Sequence, residues 1–129
     1  MGQYYKIVNL DKKEFLNPYT FGDGAKLLEF GCSASGMMCG LAILLADGNN
    51  RGGGDLHSDN PIIGSWSGDR IVVAGDYADE GKFLEEFTPD LNQTLYRYAQ
   101  EHFTNISDKV VVAMKDDSYI KQDLENSGV

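Results

Sequence analysis

The residues whose types and spacing best suit chemistry lie between positions 49 and 61. In this segment Arg51 is followed by three consecutive glycines: Gly52, Gly53 and Gly54. Glycine adopts backbone conformations that a side chain forbids, and successive amides in such a turn can form a nest that binds an anion. An adjacent arginine can add a bidentate contact to a phosphate. The segment therefore predicts an anion-binding loop.

A second pattern in the same segment is an alternation of acidic residues and histidine: Asp55, His57 and Asp59. In an extended segment alternate side chains point to the same side, so these three side chains can converge. Carboxylate and imidazole groups are competent ligands for Mn, Zn or Fe. The pattern predicts, as an alternative interpretation, a metal site. A solvated loop surface is the other interpretation of the same alternation.

Two side chains beyond the loop complete the predicted ligand site. Trp66, if it were exposed beside the glycines, would offer a ring on which a base or sugar could stack. Arg70 would add a second cation. No Gly-Lys-Ser/Thr follows the glycines and no serine lies in a nucleophile-elbow context, so no catalytic residue and no cofactor is identified.

Strands on both sides must position this loop. Aromatic and β-branched residues over 4–10 and 14–17 predict an N-terminal hairpin. The segments 61–66 and 70–77, joined by a tight turn at 67–69, predict a central hairpin.

Five helices are predicted between and after these strands. Asp23 is expected to cap the first, and Thr88, followed by a proline, the third. The second is apolar nearly all round, so we expect it to lie at the centre of the domain, although periodicity alone does not separate helix from strand there. The β-branched run 110–112 leaves the same question open for the fourth. The predicted ranges are 24–30, 37–46, 88–103, 107–114 and 118–125.

The order of these elements predicts an α+β fold. Strands, helices, strands and helices follow one another without regular βαβ alternation, which indicates a small antiparallel sheet, made of the N-terminal hairpin plus the central hairpin and packed on one face by helices. The 129 residues suit a single domain, 1–129.

Charge and composition restrict the classes of binding partner that we expect. The formal net charge is −9, and residues 46–90 hold ten acidic and three basic residues, a net −7. No basic cluster is present, so we expect no direct nucleic-acid binding. An acidic face can instead attract cations or a basic protein, or it can serve solubility alone.

Location is predicted from what the chain lacks. No apolar run approaches the roughly 20 residues that span a bilayer, and the first residues lack the apolar region of a signal peptide. The expected location is therefore the cytoplasm, without a membrane partner. There Cys32 and Cys39 would remain reduced structural thiols.

Three motifs resemble a known group of proteins: MGQYYKIVNLDKK (residues 1–13), FGDG (21–24) and GSWSGDRIVVAGDY (64–77). Together they are similar to a group of small uncharacterised bacterial and phage proteins with a similar N-terminal opening, and the similarity covers most of the first 80 residues. It implies no activity, cofactor or catalytic residue. It implies a phage origin, and small phage proteins often act by binding.

Three functional hypotheses follow. The first is a non-enzymatic protein that binds a small anionic, nucleotide-like ligand near the glycine loop. The second is a metal-dependent hydrolase that uses the Asp-x-His-x-Asp cluster. The third is an acidic protein-interaction inhibitor that docks on a basic partner. Neither the ligand nor the oligomeric state follows from the sequence.

Overall fold

A four-stranded mixed sheet with helices on both faces forms the architecture. The computed structural model describes residues 2–33 and 35–115. Its strands are β1 (Tyr5–Asn9), β2 (Glu14–Leu16), β3 (Ile71–Gly75) and β4 (Thr104–Asn105). Its helices are a 3₁₀ helix (Pro18–Phe21), α1 (Leu27–Gly31), α2 (Met37–Leu45), α3 (Leu95–His102) and α4 (Ser107–Lys115). The predicted α+β class is confirmed.

The strand order is β3-β1-β2-β4. The N-terminal hairpin is confirmed, because β1 pairs antiparallel with β2 and Val8 lies opposite Phe15. The side chain of Asn9 closes its turn by accepting hydrogen bonds from the amides of Asp11 and Lys12, at 2.9 and 2.8 Å. β3 pairs antiparallel with the other edge of β1. The short β4, which was not predicted, adds to β2 in parallel.

The predicted central hairpin is wrong. Residues 61–68 form consecutive turns, and only β3 of the two expected strands exists. The amides of Gly64 and Trp66 donate to the carbonyls of Ile43 and Leu44, each at 2.9 Å, at the C-terminal end of α2. A helix end, whose last carbonyls lack partners inside the helix, therefore takes the hydrogen bonds that a neighbouring strand would have taken.

The predicted helix over 37–46 is confirmed, but its cap and its burial differ from expectation. Asp23 caps α2 rather than the preceding helix, because its Oδ2 accepts a 2.7 Å hydrogen bond from the Met37 amide. Met38 and Leu45 are partly exposed. α2 therefore lies against the sheet with one side open to solvent, not at the centre of the domain.

Two other helices begin later than predicted, and a third keeps its predicted start. α1 begins at Leu27, where Glu29 bonds the Lys26 amide at 2.9 Å. α3 begins after Thr94, which caps it through the Arg97 amide at 3.3 Å, so residues 88–94 are not helical. α4 begins at Ser107 as predicted. The predicted helix 118–125 lies outside the described residues.

Alternate side chains of the sheet supply two separate cores. On one face Ile7 and Leu16 pack with residues of α1, α2 and α4. On the other face Val8 and Phe15 pack against α3. The helices thus cover both faces, which corrects the one-sided arrangement expected from the sequence. Among the described residues, no helix has the length and apolar character needed to cross a bilayer.

Candidate functional site

The glycine loop is a closed, anchored structure. The side chain of Asn49 bonds both backbone groups of Leu56: its Nδ2 donates to the Leu56 carbonyl at 2.8 Å, and its Oδ1 accepts from the Leu56 amide at 2.9 Å. This pair imitates one rung of an antiparallel ladder and brings the two ends of the loop together. Leu56 itself is buried in the core. Residues 50–55 therefore project from a fixed base.

Two backbone amides of the predicted anion-binding loop are bonded within the chain. The amides of Arg51 and Gly52 both donate to Asp55 Oδ2, at 2.9 and 3.0 Å. These two bonds favour the ionised carboxylate and lower the pKa of Asp55. Gly54 makes the turn with φ +90°, a conformation that suits glycine. Asp55 is thus a structural anion, and those two amides are already satisfied.

Arg51 lines a neighbouring cavity of about 370 Å³. The cavity lies between the end of α2 and the turns that follow the glycine loop. Arg51 is exposed, and with the carboxylates of the described residues it forms no ion pair. The polar residues that line the cavity are Asp47, Asn49, Asn50, Arg51, Ser58, Asp59, Asn60 and Ser67.

The polar groups of this cavity, called here the Arg51 cavity, combine one cation with two carboxylates. Asn50 Nδ2 donates to Asp59 at 3.4 Å, which leaves most of that carboxylate's accepting capacity available. Ala46, Pro61 and Ile63 provide the apolar part of the wall. A guanidinium suits an anionic group, while free carboxylate oxygens accept hydrogen bonds from hydroxyls. This combination of groups suits a small anion that also carries hydroxyl groups better than an anion that carries none.

Trp66 and Arg70 do not contribute to this cavity. Trp66 is fully buried, and its Nε1 donates to Glu14 Oε1 at 2.8 Å, so its ring offers no face to a ligand. The Arg70 guanidinium is held by Asp11 at 2.8 Å and by Glu86 at 2.9 Å. Of the six predicted ligand residues, only Arg51 lines the Arg51 cavity, since the three glycines lie on the projecting part of the loop.

The predicted metal ligands do not converge. Asp55 is engaged by the loop amides, His57 is exposed, and Asp59 faces the Arg51 cavity. In the part of the chain that the structure describes, no group of three or more His, Cys, Asp or Glu side chains is arranged to hold a metal ion.

Sequence reasoning missed a buried cation on β1. Lys6 is almost fully buried, with its Nζ 3.4 Å from the centroid of the Tyr96 ring and 3.4 Å from Gln100 Oε1. Burial lowers the pKa of Lys6 to about 8, although the negative charge of Asp76 acts in the opposite direction. No signal in the sequence indicated this burial, because lysine is almost never fully buried and a lysine in a strand is typical of an exposed or edge position.

The chain was compared with models of protein families, with curated proteins and with solved structures. No family model, curated protein or solved structure matches it. The assignment of function therefore depends on the geometry described above.

Proposed function

We propose that this protein is a non-enzymatic binding protein that holds a small, hydroxyl-bearing anion, of the sugar-phosphate or nucleotide type, in the Arg51 cavity. The observation that carries the proposal is that Arg51 lines a polar cavity and forms no ion pair with the described carboxylates. The proposal includes a phage origin, based on the resemblance of the N-terminal opening. It also places the protein in the cytoplasm, where the free thiols Cys32 and Cys39 would stay reduced.

The residues that line the Arg51 cavity indicate which parts of such a ligand would contribute to binding. A phosphate would pair with Arg51, and sugar hydroxyls would donate to Asp47 and Asp59. A purine or pyrimidine would find no aromatic ring in the lining to stack on, because the Trp66 ring is buried, and would pack on the small apolar surface of Ala46, Pro61 and Ile63. The phosphate and sugar would therefore provide most of the binding free energy, and the base would add little.

Calorimetric titration with ribose 5-phosphate and with adenosine monophosphate tests this proposal. We expect both to bind with similar affinity, and Arg51→Ala to weaken binding by about tenfold or more, since a hydrogen bond to a charged group contributes about 1.5–3 kcal/mol. Arg97→Ala is the matched control, because Arg97 is an exposed arginine on α3, outside the cavity. Equal affinity of wild type and Arg51→Ala would refute the site.

A second candidate function, docking of a basic protein, has its own supporting observation. β3 ends the strand order, and no other strand of the described residues pairs with its outer edge. The Val73 side chain on that strand is 43% exposed. Residues 76–90, which follow directly, contain six acidic residues and one lysine. An extended basic segment could add to this edge, with the acidic residues providing attraction.

Titration of labelled protein with an extended peptide of alternating lysine and valine tests this candidate. We expect amide NMR shifts centred on Val73 that diminish as salt is raised, because exposed charges are screened. Binding that is unchanged between low and high salt would argue against it. Among the described residues, nothing favours the metal-dependent hydrolase.

A further inference from the structure

A second cavity lies on a different side of residues 60–65. It has a volume of about 530 Å³, within the range of roughly 300–1,000 Å³ that is typical of small-molecule sites. It is bordered by the turn of the N-terminal hairpin and the first residue of β2, by the turns after the glycine loop, and by Ile106 and α4. We call it the α4 groove; its lining residues are Lys12, Glu14, Asn60, Pro61, Ile62, Ser65, Ile106, Lys109 and Val112.

The floor of the α4 groove is apolar and firmly held. Ile106 is buried, and its amide donates to the Phe15 carbonyl at 3.1 Å, which ties the start of α4 to the sheet. The Ile62 amide donates to Asn60 Oδ1 at 3.0 Å within its turn. On the open side Val112 is 58% exposed. An apolar ligand body in the groove would cover Ile62 and Val112, and the hydrophobic effect would favour its binding.

The charged groups of the groove favour an anionic head group. Lys109 is exposed on α4, and with the carboxylates of the described residues it forms no ion pair. The Glu14 carboxylate accepts the indole hydrogen bond of Trp66 at 2.8 Å, and Lys12 is paired with Asp69 at 2.6 Å. Glu14 keeps its negative charge, because an indole N–H is a neutral donor, but the lining holds two lysines against this one carboxylate. Lys109 is therefore the cation that an anionic head group would meet, although the whole chain carries a net −9.

We propose that the α4 groove binds a monocarboxylate with an apolar body. The apolar body would pack on Ile62, Ile106 and Val112, and the carboxylate would pair with Lys109. This chemistry differs from that of the Arg51 cavity, whose lining is mainly polar and contains two carboxylates with its single cation. The inference therefore does not depend on the proposed function.

The only tryptophan of the chain provides the measurement. Trp66 donates to Glu14, and Glu14 lines the groove, so a ligand that enters should change the environment of the indole. The probes are decanoate and 4-phenylbutyrate, which represent alkyl and aryl sources of the same chemistry, and neutral decanamide. We expect a saturable change in Trp66 emission with at least one carboxylate and weaker binding of decanamide. Tighter binding of one carboxylate identifies the alkyl or aryl source.

Two variants locate the site. We expect Lys109→Met to weaken binding of the carboxylate by about fivefold, which corresponds to roughly 1 kcal/mol. Lys115→Met is the matched control, because it removes the same charge from an exposed position of the same helix outside the groove. Val112→Glu changes an exposed residue at the mouth and should abolish binding by repulsion, with the fold checked by circular dichroism.

The results of these titrations distinguish binding in the α4 groove from binding elsewhere on the protein. Absence of saturable binding by either carboxylate overturns it, and so does an equal loss of affinity in the two lysine variants, which would indicate general attraction to the surface. Arg51→Ala should bind the carboxylate as the wild type does. Loss of binding in Arg51→Ala with full binding in Lys109→Met would assign the ligand to the Arg51 cavity instead.

Discussion

Lys6 shows what a single buried charge does to stability. Its ammonium lies 3.4 Å from the centroid of the Tyr96 ring and 6.0 Å from that of the Phe15 ring, and it donates to Gln100 Oε1 at 3.4 Å. A cation over an aromatic face is favourable, but it does not replace the hydration that burial removes. The net result is a lowering of the pKa of Lys6 from 10.5 to about 8. The charged form is thus a cost to the fold at neutral pH.

The free energy of unfolding should therefore rise as pH increases through this interval. Below pH 8 both states hold the Lys6 proton; between pH 8 and 10.5 the unfolded chain retains the proton that the folded chain has lost. More protons on the unfolded chain mean that stability increases with pH. From about pH 7 to about pH 10, we expect wild type to gain roughly 2 kcal/mol relative to Lys6→Met, measured by urea unfolding.

The Lys6→Met comparison removes the contribution of other groups. Tyr96 also titrates at high pH, and burial raises its pKa, so the absolute stability of either protein mixes several effects. Methionine keeps the length and most of the volume of the lysine stem without the charge. A difference between the two proteins that stays constant across this pH range would contradict the assignment of the effect to Lys6.

At the same scale, the sequence indicated the loop and its arginine but not how the loop amides are used. Three glycines after an arginine predicted a loop whose backbone amides could bind an anion. The pattern did not show that the Asp55 carboxylate would accept hydrogen bonds from the amides of Arg51 and Gly52, at 2.9 and 3.0 Å. An acidic residue three or four positions along the chain is a local competitor for an external anion. The residue types can be read from the sequence, but the geometry of the turn determines that the Asp55 carboxylate, rather than an external anion, accepts these two hydrogen bonds.

At the scale of elements, Gly64 joins α2 to the turns that line both cavities. It has φ +77°, and a Cβ at this position would lie 2.6 Å from the Ala46 carbonyl oxygen. Its amide also donates to the Ile43 carbonyl at 2.9 Å. Close backbone approach and positive φ together require glycine here.

We predict that Gly64→Ala destabilises the protein by roughly 2 kcal/mol or more, because strain in a left-handed conformation adds to a backbone clash. Gly68→Ala is the matched control: Gly68 has φ +83°, but a Cβ added there would meet no heavy atom within 4 Å. That variant should lose only about 1 kcal/mol, from the conformation alone. Chemical denaturation of both variants checks the difference; equal losses would mean that the contact with Ala46 has no role.

Elements with local signals were predicted, and elements that depend on distant contacts were not. The turn of the N-terminal hairpin and the start of α4 are encoded by residues next to them in sequence. The segment 61–66 has the composition of a strand, yet its amides bond the end of α2. Asp23 is a residue type that often caps a helix and it precedes α1, yet it caps α2 by accepting a hydrogen bond from the Met37 amide, 14 residues later. In both cases a tertiary partner overrides local preference.

At the scale of the whole molecule, charge opposes compactness. Seven of the nine net negative charges lie within residues 46–90. Repulsion among exposed like charges destabilises the folded chain and is screened by salt. Raising the ionic strength from about 0.01 M to about 0.15 M shortens the Debye length from about 30 Å to about 8 Å. We expect the melting temperature to rise by roughly 4 °C, equivalent to about 1 kcal/mol, measured by calorimetry.

The charge of the acidic segment can be changed without disturbing the core. Glu85 is exposed, and it forms no ion pair with the described residues. Glu85→Lys should reduce the response of the melting temperature to salt, because it removes repulsion from the most acidic region. A melting temperature that falls with salt in the wild type would show instead that the ion pairs of Lys12 and Arg70 contribute more than the repulsion costs.

The order of strands in the sheet has a consequence for synthesis on the ribosome. β1 contributes side chains to both cores and lies between two strands, but its partner on one side, Ile71–Gly75, is made long after it. An isolated two-stranded hairpin is marginal at best in water. At about 5–20 residues per second, the hairpin waits roughly 3–12 seconds for β3. During that interval the free edge of β1 can pair with a strand of another nascent chain, and the apolar side chains of Ile7 and Val8 can contact that chain.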